Sequence, residues 1–168
     1  FAKKLQYDYF NTTKYLQLSN LTKYEPRVGD HLRVSYGNIA DHSVFVTSVS
    51  GNTFTYADCN SNGKCNIKWA GKGKVTSLSS ITLDGLTYSF SWVERPIMVG
   101  DINGDSYVNS DDITAIININ SDNTTNISTK YRTLSADINR DGSINMSDVI
   151  ILNQYINGTS FVKLYYVR

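Results

Sequence analysis

Two stretches of this chain repeat one pattern of oxygen-bearing side chains. Residues 101–112 read DINGDSYVNSDD and residues 137–148 read DINRDGSINMSD, and they agree at positions 1, 2, 3, 5, 9 and 12. Side-chain oxygens at positions 1, 3 and 5, a backbone carbonyl at 7 and a carboxylate at 12 wrap a hard cation in six or seven oxygens, the preference of Ca2+. In the first loop the donors are Asp101, Asn103, Asp105, the Tyr107 carbonyl and Asp112. In the second they are Asp137, Asn139, Asp141, the Ser143 carbonyl and Asp148. One such run can be an ordinary Asx turn, but a complete second copy argues for a repeated device and two Ca2+ sites. Position 6 is a sharp turn that favours glycine; it is Gly142 in the second loop and Ser106 in the first, so the first site is expected to be the weaker.

A second constellation lies in DHSVFVTSVSGNTFTYADC, residues 41–59. His42 heads one strand-like run and Asp58 closes the next. An imidazole oriented by a carboxylate is the general-base half of a nucleophilic hydrolase. Whether the two meet depends on the turn. If Ser50, Gly51 and Asn52 form a three-residue loop, Asp58 stands opposite Val44, diagonal to His42 and on its face of the sheet. A two-residue loop would put them on opposite faces. Cys59 adjoins Asp58, so its side chain points the other way and makes a poor nucleophile for His42. His31 has no partner pattern and reads as structural. Cys59 and Cys65 enclose the short loop NSNGK. In an oxidising compartment they are expected to form a disulfide worth about 2 kcal/mol, the alternative being two unpaired thiols.

The elements that must carry these groups follow from periodicity and turn chemistry. FAKKLQYDYF (1–10) reads as a helix with Phe1, Leu5 and Tyr9 on one face. Strands are predicted within 28–37, over 43–49 and 53–58 with SGN between them, and over 66–71 and 86–96. A helix followed by an antiparallel sheet is an α+β pattern. Downstream, ITAIININ and VIILNQYI follow the two loops and are apolar enough to bury one helical face. RPIMVG stands before the first loop, where Pro96 and Gly100 break any helix. A calcium-sensing hand needs helices on both sides of its loop and usually Glu at position 12, and this pattern has neither.

Loop-then-helix, repeated with Asp at position 12, resembles the dockerin family over about residues 99–160. The resemblance implies a small all-α module with two calcium loop–helix repeats, docking on a cohesin domain of a scaffolding protein, extracellular, in a cellulosome or at the cell surface. It places the cohesin contacts at loop positions 10 and 11 and along the following helix. Those are Ser110, Asp111, Ile117 and Asn118, then Met146, Ser147, Asn153 and Gln154. The two sets differ chemically, which speaks against symmetric dual binding.

The run GDHLRV…HSVFVTSVSGNTFTYADCN resembles the CHAP-type amidases and peptidases among papain-like cysteine hydrolases, over roughly residues 1–94. It implies a papain-like α+β domain with His42 as general base and Asp58 as its orienter. It also implies a nucleophilic cysteine at the N-terminus of the first helix, expected upstream of Phe1. The substrate implied is an amide bond, in cell-wall peptide or in protein. The rival expectation is a non-catalytic binding or assembly protein anchored through the same module. The organisation is then 1–94, a linker at 95–98, the module at 99–160 and a tail at 161–168.

Composition narrows the field. Charged residues make up only 18% and proline occurs twice, against twelve tyrosines, which excludes a disordered linker. Residues 1–98 carry 11 Lys+Arg against 7 Asp+Glu, while residues 99–168 carry 5 against 8, so two units with different work are expected. Neither half has the basic cluster that nucleic acid requires, and no apolar window approaches the roughly 18 residues of a membrane span.

Overall fold

The computed structural model describes residues 1–12, 14–18, 24–37, 39–59, 66–77, 80–120, 129–159, 163–164 and 166–167. The chain divides into two units, Phe1–Pro96 and Ile97–Arg168.

The first unit begins with helix α1 (Ala2–Phe10), which ends where Asn11 takes a left-handed conformation (φ 50°). Strands follow: β1 (Tyr15–Leu18), β2 (His31–Tyr36), β3 (Ile39–Ser50), β4 (Thr53–Cys59), β5 (Ile67–Ser77), β6 (Ser80–Leu83) and β7 (Leu86–Pro96). All pairings are antiparallel. Neighbours run β7-β2-β3-β4-β5-β6, and β6 pairs again with β7, so six strands close into a barrel. This overturns the expected papain-like α+β domain: residues 1–96 are a closed antiparallel barrel with one helix against its outside.

Strand β7 performs the closure because it is long. Its residues Leu86–Ser89 pair with β6, Ser89–Glu94 with β2 on the opposite edge, and Val93–Pro96 with β1, which continues the line of β6. The β6–β7 turn is tight, with Asp84 and Gly85 at φ 47° and 88°, the left-handed pair that matches hairpin twist. The barrel is filled by Leu32, Val34, Val44, Val46, Phe54, Tyr56, Ile81, Leu83 and Val93. Two glycines make room for its largest rings. A Cβ on Gly71 would lie 2.3 Å from the Tyr56 ring, and one on Gly73 would lie 2.2 Å from that of Phe54. Strands β1 and β6 and the far half of β5 were not anticipated from the sequence. The segment AGKGKV has no strand-like alternation because its glycines yield the inner face to rings on β4.

α1 covers the outer face. Ala2 and Gln6 are its buried residues, and the Gln6 amide donates to the carbonyls of Gly29 (2.7 Å) and Glu94 (2.8 Å). The expected apolar stripe lies one position off that face: Phe1 packs its ring on Trp69, Tyr9 on Phe45, and Tyr9 stays 70% exposed.

The second unit contains α2 (Ser110–Asn120), α3 (Thr129–Ala136) and α4 (Met146–Ile156). Val99, Ile102, Ile116, Ala136, Ile138 and Leu152 form its core, with Val108 and Ile144 packed against them. Loop 101–112 is entered from an extended segment, as expected. Loop 137–148 is entered directly from α3, a helix that the sequence reading did not include. The tail returns to the start of the unit: Met98 bridges Tyr166, and Val167 N–H donates to the Ile97 carbonyl at 2.8 Å.

Candidate functional site

The two loops share one pattern of hydrogen bonds. Asp112 Oδ1 accepts from the N–H groups of Ile102 (2.8 Å) and Asn103 (3.2 Å), and Oδ2 from Asn109 (3.0 Å). Asp148 accepts from Ile138, Asn139 and Asn145 at the same three distances. The Ser106 N–H reaches across the first loop to Asp101 Oδ2 (2.9 Å), as the Gly142 N–H does to Asp137 Oδ2 (3.0 Å). Asn103 and Asn139 each turn an amide to the neighbouring aspartate and accept its N–H at 2.9 Å. Each loop thus ties its carboxylates and one amide into a network of hydrogen bonds with the loop backbone.

The helices fix the position-12 carboxylates in place. Asn145 caps α4, accepting from Ser147 N–H at 2.8 Å, while Asp148 returns to the Asn145 N–H to complete a capping box. Asp101, Asp112 and Asp148 are buried. Burial, and then the Asp105 charge, raise the Asp112 carboxyl above its ordinary range, although three N–H bonds pull the other way. The site is therefore short of positive charge. Among the described residues no three acidic, imidazole or thiolate side chains gather as a metal cluster by themselves. A loop of this type completes its shell with amide and backbone carbonyl oxygens. An all-oxygen donor set with three carboxylates fits Ca2+; when bound, the ion supplies the charge that makes this crowding stable.

The expected weakness of the first loop does not stand. Ser106 does hold φ 69° where the second loop has Gly142 at 84°. At position 4, however, the second loop holds Arg140 at φ 63° where the first has Gly104 at 76°. Each loop carries one glycine and one strained residue, so the backbone penalties balance.

Of the positions assigned to cohesin contact, Ser110, Asp111, Ile117, Met146, Ser147, Asn153 and Gln154 are exposed, and Asn118 is half-buried. Ile150 was missed by the sequence reading. It is 51% exposed, one turn from Met146 at 62%, so α4 presents an apolar pair where α2 has Ser110 and Thr114. Its signal was an isoleucine at helical spacing from Met146 and Asn153.

In the barrel, His42 Nε2 lies 2.9 Å from Asp58 Oδ2, with the imidazole 21% exposed and the carboxylate 1% exposed. An ionised carboxylate only accepts, so the proton of this hydrogen bond sits on Nε2. The route to this contact differs from the one expected. Ser50 pairs with Thr53, leaving a two-residue Gly51–Asn52 turn, the case that should separate the pair. A bulge between Val46 and Ser48 then absorbs one residue and restores Val44 opposite Asp58. Thr47 and Ser48 both bond the Thr55 hydroxyl, each at 2.7 Å. His42 and Asp58 share the inner face with Val44 and Val46, whereas α1 packs outside on Phe45. The helix that the resemblance made carrier of the nucleophile is thus on the other side of the sheet. Cys59 ends β4, half-buried; Cys65 lies outside the described residues, so the proposed bridge does too.

The opposite rim holds a group that the sequence reading passed over. Arg95 Nε donates to Asp30 Oδ1 at 2.8 Å and its NH2 to Oδ2 at 2.9 Å, with the Tyr24 hydroxyl also on Oδ2 at 2.9 Å. Asp30 is fully buried. His31, read as structural, is buried beside it with Nδ1 3.2 Å from Glu94. Burial lowers its imidazole below the usual value, partly offset by Glu94.

Residues 99–157 match the dockerin type I domain family. The N-terminal barrel has no family assignment, and the search found no match among the curated proteins or the solved structures. Among the described residues no helix is long and apolar enough to cross a membrane.

Proposed function

We propose that this chain is a cargo-bearing component of an extracellular, cellulosome-type assembly, in which the dockerin module at residues 99–157 docks on a scaffold cohesin and so attaches the barrel. Type I dockerins bind Ca2+, and the observation that carries the reading is the pair of loops with a shared hydrogen-bond pattern, each ending in a buried aspartate. The ions hold the loops, and the loops set the directions of α2 and α4. The docking face we assign comprises Met146, Ser147, Ile150, Asn153 and Gln154 on α4, because its exposed apolar pair is what a partner would bury. The corresponding face of α2, with Ser110, Asp111, Ile117 and Asn118, is the second candidate. Calorimetric titration with type I cohesins in calcium, repeated in chelator, tests this. Binding should vanish in chelator, and Met146→Asp or Ile150→Asp should weaken it at least tenfold. Full affinity in chelator would sink the docking reading. Full affinity for both variants with loss in Ile117→Asp would move the face to α2.

For the barrel, the reading is acid–base chemistry at the rim where His42 meets Asp58. Asp58 orients the ring and Nδ1 takes a proton from a nucleophile, thiol or water, attacking an amide bond in cell-wall peptide or protein. The hydrogen bond to a buried carboxylate supports it. Hydrolysis of peptide and cell-wall substrates by the full-length protein is the measurement, with His42→Ala expected to lower it by roughly 10³-fold. Equal turnover by that variant, or none by the parent, removes the catalytic reading and leaves the barrel as binding cargo.

A further inference from the structure

The rim that holds His42 and Asp58 gathers more chemistry than a base and its orienter. Antiparallel order brings the ends of β2, β4 and β6 and the starts of β3, β5 and β7 to the same end of the barrel. Lys68, paired with Asp58 in register, extends its ammonium to Asp84 at 2.6 Å and lies over the Tyr56 ring at 5.9 Å. The Tyr56 hydroxyl donates to the same Asp84 oxygen at 3.1 Å, and the Lys72 N–H to the other at 2.7 Å. Asp84 is thereby satisfied on both oxygens.

Asp58 is not. Its Oδ2 holds His42, while Oδ1 is buried and has no hydrogen-bond partner. A buried carboxylate oxygen left unpaired is costly, and a donor that reached it would remove that cost. Two carboxylates, Asp58 and Asp84, stand on this rim against the one ammonium of Lys68. Tyr36, 41% exposed, and Tyr88 pack ring to ring at 5.4 Å on the adjoining strands. Burial, and then the Asp58 charge, raise the Tyr88 hydroxyl above its ordinary range, in keeping with the two sharing one rim. Aromatic faces beside a carboxylate favour a cation that can also donate hydrogen bonds. The surrounding domain is net basic, but in physiological salt that field is screened beyond about 8 Å, so the local groups decide.

We infer that this rim binds a primary ammonium group, which donates to Asp58 Oδ1 and lies against the Tyr36–Tyr88 pair. The acceptable sources are a lysine side chain and the α-amine of a peptide. The inference rests on the acid–base reading for its role, since it names the group that would place a substrate beside His42. Its test needs no turnover, so each can fail alone.

The experiment follows His42 ring resonances of the calcium-loaded full chain during titration with N-acetyl-lysine amide, alanine amide and the neutral N-acetyl-norleucine amide. One of the two ammonium probes should bind at least tenfold more tightly than the neutral one, and which of them does identifies the source. Asp58→Asn should reduce that binding about tenfold. Should this variant misfold by circular dichroism, Tyr36→Ala on the exposed rim decides, with a loss of at least threefold expected. Equal affinity for charged and neutral probes, no shift with either ammonium, or unchanged binding in a folded variant overturns the inference.

Discussion

Single residues in this chain show where charge has been taken out of water and what holds it there. Asp30 is fully buried and accepts from the Arg95 guanidinium, the Tyr24 hydroxyl and the Arg27 N–H, so removing it leaves the Arg95 charge without its carboxylate inside the protein. Asp30→Ala should cost about 3–5 kcal/mol, read as a lowered urea midpoint of the barrel. His31 gives the pH dependence. Its imidazole titrates lower in the fold than the ordinary 6.5, so the unfolded chain takes up the proton first as pH falls. This contribution to the barrel's stability is then fully present above 6.5 and declines as pH drops from there through the depressed value. Urea titrations across that window should show the decline, and His31→Gln should flatten it. In the loops, Ser106→Gly should raise the stability of the calcium-loaded module by about 1 kcal/mol, because it relieves a left-handed φ of 69°. The calcium donors were legible in the sequence because their chemistry is local, a spacing within twelve positions. Asp30 and Arg95 were not, because their pairing spans 65 positions and leaves no periodic trace.

At the scale of elements, the distance between legible and illegible is a single residue in a strand. The sequence placed Asp58 opposite Val44, yet reached it through a three-residue loop where the chain uses a two-residue turn plus a bulge at Thr47. Both solutions add one residue between His42 and Asp58, and side-chain alternation cannot tell them apart. The papain-like expectation failed for a different reason. A helix and a run of strands are compatible with an open α+β sheet, and closure depended on β6, four residues with no strong signal, folding back on β7. The glycines of β5 are part of that closure. Gly71→Ala should push a methyl group into the Tyr56 ring and destabilise the barrel by roughly 1–3 kcal/mol, measured by urea unfolding. An unchanged midpoint would mean that the ring moves aside at no cost.

Across the whole molecule, two units of different origin of stability share one chain. The barrel rests on an apolar interior, whereas the C-terminal module crowds three carboxylates into each loop around a small core. Metal binding there is folding free energy. Chelation should therefore remove one of two thermal transitions, the one carrying residues 99–157, and leave the barrel's transition in place; calorimetry with and without chelator reads this directly. If both transitions persist, calcium does not organise the module. Closure of the barrel also bears on how such chains behave at close quarters. An open sheet offers a row of unpaired amide and carbonyl groups along each outer strand, a template on which a second copy can add. Here β7 is flanked by β2 on one edge and by β6 and then β1 on the other, and the four residues of β1 make a short template. Copies of such a chain crowded together would then resist strand-by-strand association, and would stay dispersed at local concentrations where an open sheet of the same composition would clump.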